Sequence, residues 1–169
     1  MTPRFSCWRS ASRGFTFTEV TIVMVLAGVV TLGLVTFYLN SQIMWTDAST
    51  QVLAQRDATA LLELMRHDAQ EAAKAEVVPV SGDSLNHLVI FYDRNNVETH
   101  RFFFEPADSF VHYGDSTSTD QGPVVPTKVE RFHLSADPAL GMVSIDTLRV
   151  RSTSGQRVTL FTAIGLYNQ

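Results

Sequence analysis

The chain has 169 residues, 45% of them hydrophobic and 18% charged, with a mean hydropathy of +0.05. That length allows one domain beside an anchor, and the near-zero mean averages two unlike parts. Basic residues number 13 against 17 acidic, a formal charge of −4, which argues against a nucleic-acid polyanion as a bulk electrostatic partner. The lone Cys7 excludes a disulfide within the chain.

Arg4, Arg9 and Arg13 precede Gly14-Phe15-Thr16-Phe17-Thr18-Glu19, and an uncharged, mostly apolar run follows from Val20 to Leu39. As a helix, that run rises about 30 Å at 1.5 Å per residue, the hydrocarbon thickness of a bilayer. The arginines lie on its amino side, so the amino end stays cytoplasmic and the remainder crosses. Glu19 is the one charge between Phe15 and Leu39. A carboxylate at the head of an apolar helix is costly and marks function. The run is long for the core of a cleaved secretory signal, and no Ala-x-Ala site follows it.

Glycine, then phenylalanine, then glutamate five residues after the glycine, behind a basic leader and heading an apolar helix, resemble the type IV prepilin signature. That family includes type IV pilins and the pseudopilins of type II secretion systems. Gly14 matches the last leader residue, Phe15 the first residue of the mature chain and Glu19 the family glutamate. The resemblance implies that prepilin peptidase, a membrane aspartic peptidase, cuts between Gly14 and Phe15 and that the new amine of Phe15 is N-methylated. It further implies a bacterial inner-membrane protein, single-pass with its carboxyl domain periplasmic. Such a chain joins other pilin or pseudopilin subunits through its N-terminal helix, in a pilus or pseudopilus. Three of the 13 basic residues leave with the leader, so 10 remain against 17 acidic, a formal charge of −7. Cys7 leaves too. Major pilins often staple a C-terminal loop with a cysteine pair, so the resemblance is closer to a minor component.

Cleavage frees an amine at Phe15 that is mostly cationic at neutral pH, its reference pKa being about 7.7 to 8.0. Glu19 lies one helical turn on, and helical side chains lean toward the amino end. Two pairings are open to its carboxylate: its own amine in the membrane, or a neighbour's in a helix bundle. The family favours the neighbour.

Asn40 to Glu76 has no proline or glycine, and the helix is expected to continue until Pro79, Ser81 and Gly82 end it. Ala54, Ala58, Leu61, Met65, Ala69 and Ala72 recur at spacings of three and four, one apolar stripe. Glu63 with Arg66, and Glu71 with Lys74, are spaced as ion pairs on the wet side. The stretch Leu61 to Ala72 also resembles the larger minor components, the J-type minor pseudopilin and the W-type minor pilin. The expected organisation is a leader over 1–14, a transmembrane or filament-core helix over 15–39, a periplasmic helical half over 40–80 and a sheet region over 81–169.

Beyond Gly82 the periodicity becomes strand-like. His87 to Tyr92, Val97 to Phe104 and Phe110 to Tyr113 read as strands, with a turn at Asp93-Arg94-Asn95-Asn96. Gly114 to Pro126 reads as a polar loop. Lys128 to Leu134 alternates, and Met142 to Val150 with Val158 to Ile164 form a hairpin about Ser154-Gly155. The fold class is therefore α+β: a long N-terminal α-helix packed on a mainly antiparallel β-sheet, pilin-like by the resemblance.

No nucleophile elbow, zinc-protease motif or phosphate loop occurs, so no enzyme activity, cofactor or metal is expected. Asp115 and Asp120 bracket Ser-Thr-Ser-Thr without calcium-loop spacing, and a solvated loop is expected there. His100 and His112 are spaced to face each other across a hairpin. Phe102-Phe103-Phe104 places at least one aromatic on the outer sheet face. Arg149, Arg151 and Arg157 are candidates for a basic cluster that a hairpin gathers. The function expected is a structural minor pilin or pseudopilin that initiates or caps a filament; the alternatives are a DNA-uptake pilin and a single-pass membrane-anchored periplasmic domain of other function.

Overall fold

A computed structural model describes residues 14–80, 83–115, 120–137 and 139–166. The chain divides after Met44 into two compact units. The helix α1, Phe17–Glu71, supplies the described core of the first unit and the opening element of the second.

In the first unit the apolar side chains from Val20 to Leu39 are all exposed. An 18-residue window of this helix reaches a mean hydropathy of 2.5, apolar and long enough to cross a membrane. Its few hydroxyls are turned inward on their own backbone: Thr21 donates to Phe17 O, Thr31 to Ala27 O and Thr36 to Leu32 O, at 2.7–2.9 Å. Polar groups bonded back to the preceding turn need no water, which suits a helix in hydrocarbon.

In the second unit the stripe Ala54, Ala58, Leu61, Met65, Ala69 and Ala72 is buried throughout, as its spacing predicts. It packs on a sheet whose strands are β1 Lys74–Val80, β2 Asp83–Tyr92, β3 Glu98–Glu105, β4 Phe110–Asp115, β5 Asp120–Pro123, β6 Lys128–Asp137, β7 Met142–Arg151 and β8 Arg157–Gly165. The order is β5-β4-β3-β2-β6-β7-β8, with β1 paired to β2 beside that path. Phe91, Phe102, Phe132, Leu134, Ile145 and Leu148 fill the core with the helix stripe. All pairings are antiparallel except β2 with β6, joined at Asn86 and Phe132. Side chains reinforce that seam: Asn86 Oδ1 accepts from Phe132 N at 2.6 Å, and His87 Nδ1 accepts from Leu134 N at 2.8 Å.

Two boundaries differ from the sequence reading. The helix stops at Glu71, so the expected helical half over 40–80 is too long and the sheet begins at Lys74 rather than after Gly82. Ala73 N donates to Tyr92 O at 2.8 Å, and that bond turns the backbone out of the helix into the β1–β2 ladder. Val77, Val78 and Val80 then favour a strand, while Pro79 is tolerated because β1 pairs only with β2. Lys74 is consequently no helical partner for Glu71; its ammonium stands 5.3 Å from the centre of the Tyr92 ring, and Glu71 lies 3.9 Å from His67. The second difference is β5. The segment read as loop pairs Asp120 with Gly114 and Pro123 with His112.

Candidate functional site

Gly14 and Phe15 lie exposed in front of the helix, and no neighbouring atom comes within 4 Å of a Cβ built on Gly14. The fold itself therefore makes no steric demand for glycine there. Thr16 caps the helix. Glu19 Oε2 accepts from both Thr16 N and Thr16 Oγ1 at 2.9 Å, and Glu19 N donates to Thr16 Oγ1 at 3.3 Å. This reciprocal arrangement is a capping box, in which a threonine and a glutamate three residues later satisfy each other's amides. The spacing Thr16-x-x-Glu19 signals it locally, and the sequence reading passed over it in favour of the charge. Before any amine exists at Phe15, the carboxylate already has a partner one residue away. Arg4, Cys7, Arg9 and Arg13 lie outside the described residues.

The histidines do not form the pair expected of them. His100 stands opposite Asp115 in the ladder and His112 opposite Phe103, because the β3–β4 register is offset from the one that would align the two rings. His100 Nδ1 lies 2.6 Å from Tyr113 Oη, with the rings stacked. The nearly buried His112 is clamped instead between two carboxylates. Its Nε2 is 2.8 Å from Asp108 Oδ2, and its Nδ1 is 2.9 and 3.0 Å from the oxygens of Asp120. With both carboxylates ionised, both ring nitrogens donate, so the ring is held as imidazolium. Burial opposes that charge, but the hydrogen bonds and charges of Asp120 and Asp108 outweigh it and raise the His112 pKa. The contribution of this clamp to stability is complete below the unfolded histidine value of about 6.5 and is lost as pH rises through the higher folded value. The expected result is that His112→Asn lowers the urea midpoint of the chain at about pH 6 and loses that effect toward about pH 9. An equal deficit at both ends of the range would contradict a charged clamp.

Asp115, at the start of the proposed loop, accepts from Gln121 Nε2 at 3.0 Å. Asp120 is drawn into the His112 clamp, and residues 116–119 lie outside the described residues. Phe102 and Phe104 are buried, whereas Phe103 faces outward beside Leu88 and Val80. The hairpin does gather arginines: Arg151 is opposite Arg157, and Glu130 Oε2 is 2.8 Å from Arg157 Nε. Register adds two cations the sequence reading missed, setting Arg131 opposite Arg149 and Lys128 opposite Arg151.

A cavity of about 740 Å³ lies between α1 and the β7–β8 turn, among Thr50, Asp57, Thr127, Lys128, Arg151 and Ser154. Its hydroxyls are spent on one another. Gln156 N donates to Ser152 Oγ, Ser152 lies 3.0 Å from Ser154, Ser154 lies 2.7 Å from Thr50, and Thr50 donates to Asp47 O. Because the two ends of this chain fix its direction, each hydroxyl both gives and receives one bond. The chain fastens the turn to the helix and leaves no activated nucleophile among these hydroxyls. No family model, curated protein or solved structure matches this chain.

Proposed function

We propose that this protein is a structural subunit of the type IV pilin and pseudopilin class, a minor component that is processed before Phe15 and assembles through its N-terminal helix. The observation that carries the reading is the juxtaposition at residues 14–39. An exposed glycine that the fold does not require precedes a helix whose apolar residues are all bare and whose first turn holds Glu19. A bare apolar helix of that length needs lipid or other helices around it. In this reading the inner membrane holds the chain first, with its leader cytoplasmic and its sheet domain periplasmic, and neighbouring subunits hold it afterwards. The helix-on-sheet packing and the resemblance of Leu61 to Ala72 to the J-type and W-type components agree with it. The domain carries no catalytic step; its role is contact.

Mass spectrometry of the protein from cells containing a prepilin peptidase is expected to show loss of residues 1 to 14 and N-methylation of Phe15. An intact leader in those cells would overturn the reading.

A further inference from the structure

The outer face of β6–β8 concentrates like charge. Arg149 and Arg151 alternate along β7 with the buried Leu148 and Val150, so both point away from the core. Arg131 is the cross-strand partner of Arg149, and Arg151 has Lys128 on one side and Arg157 on the other. Like charges set directly opposite in a sheet destabilise it. Three such pairs share one nearby acid, Glu130, 3.8 Å from Arg151 and 2.8 Å from Arg157. The side chains of Arg151 and Arg157 are more than half exposed, so water and salt relieve part of that repulsion. The cluster is unusual in a chain whose net charge is negative.

The opposite charge gathers at the other end of the same unit. Lys128 and Arg151 line the cavity beside Leu53, Ala54 and Asp57. From Asp57, α1 rises about 20 Å to Glu71, and there Glu71, Asp68 and Asp115 all lie close enough to act on the Tyr113 hydroxyl. Asp68 is buried, and its Oδ2 has no hydrogen-bond partner. The sheet domain is thus basic at the Ala54 end of the helix and acidic at the Glu71 end.

We infer that the basic face formed by Lys128, Arg131, Arg149, Arg151 and Arg157 docks on the acidic end, around Glu71 and Asp115, of a second copy of this chain. A contact joining one end of a molecule to the opposite end of the next is heterologous and does not close, so it propagates as a linear assembly. The complementary charges set register and direction and suppress the like-ended encounter. The inference deepens the filament-subunit reading and rests on it for the role of the contact, but cleavage before Phe15 plays no part in the contact itself. An unprocessed leader would therefore defeat the proposed function and leave this surface untouched.

The test is sedimentation equilibrium of the full chain in an uncharged detergent, where the apolar helix contributes equally to every variant. Self-association is expected to weaken between about 0.05 M and 1 M salt as screening shortens. Arg151→Glu with Arg157→Glu, and separately Glu71→Lys with Asp115→Lys, are each expected to weaken it about tenfold or more, and mixing the two reversed proteins restores it. Arg151→Gln with Arg157→Gln gives an intermediate loss, and unchanged circular dichroism shows that the sheet is intact. Wild-type chains that do not associate, reversals without effect, or losses that mixing does not repair overturn the inference. So does binding of the basic face to duplex DNA or to phosphatidylglycerol vesicles in place of a second copy.

Discussion

Glu19→Ala is expected to leave the chain in the membrane at normal abundance and to abolish its co-purification with partner subunits. Insertion depends on the apolar residues Val20 to Leu39, and removing a charge makes insertion easier. Assembly is different. In a bundle of such helices the amine of a processed Phe15 needs a carboxylate, and attraction across about 4 Å is far stronger there than in water. The capping box adds a second role that alanine also removes, since Glu19 holds the amide and hydroxyl of Thr16. Glu19→Gln separates the two roles. Glutamine serves in a capping box but carries no charge. Charge pairing therefore requires that glutamine fail as alanine does, with membrane abundance unchanged. Normal co-purification of the glutamine variant would assign Glu19 to capping alone. Lost abundance of either variant would assign it to folding or insertion.

Leu61→Ala is expected to cost about 2 to 5 kcal/mol of stability, the range for a fully buried leucine truncated in a packed core. Leu61 is 0% exposed on the face of α1 that meets the sheet, with Met65 one turn on at 0%. A domain of this size has roughly 5 to 15 kcal/mol in total, so the loss takes a large part of it. Leu53, earlier on the helix, is 54% exposed, and Leu53→Ala is expected to cost less than about 1 kcal/mol. Urea unfolding of the two variants, followed by the circular dichroism of the sheet, makes the comparison. Equal losses would mean that the Leu61 stripe is not what the sheet rests on. Failure of Leu61→Ala to accumulate, while Leu53→Ala accumulates normally, supports the same packing.

Periodicity alone determined a good deal of this molecule. The spacing of Ala54, Ala58, Leu61, Met65, Ala69 and Ala72 named the buried stripe residue by residue, because helical geometry leaves one face for one such pattern. Turn chemistry placed the hairpins about Asn95-Asn96 and Ser154-Gly155, where Asn96 and Gly155 adopt positive φ. Composition and length marked the apolar run. The capping box of Thr16 and Glu19 was also local and legible.

What lay beyond the sequence depended on partners distant along the chain. Residues 74–80 carry alanine, glutamate and valine in an order that suits either state, and the amide of Ala73 finding Tyr92 O decides for the strand. The β2–β6 seam joins residues 46 positions apart, through an asparagine side chain that no local pattern marks. His112 owes its charge to Asp108 and Asp120, one from the β3–β4 turn and one from a strand that reads as loop. The basic face followed the same rule. Arg131 meets Arg149 only because irregularities in β6 shift its register, and a shift of one residue would have turned that side chain to the other face. Local sequence determined the elements and their buried sides; long-range pairing decided which charges face one another, because register is settled by packing across the whole sheet.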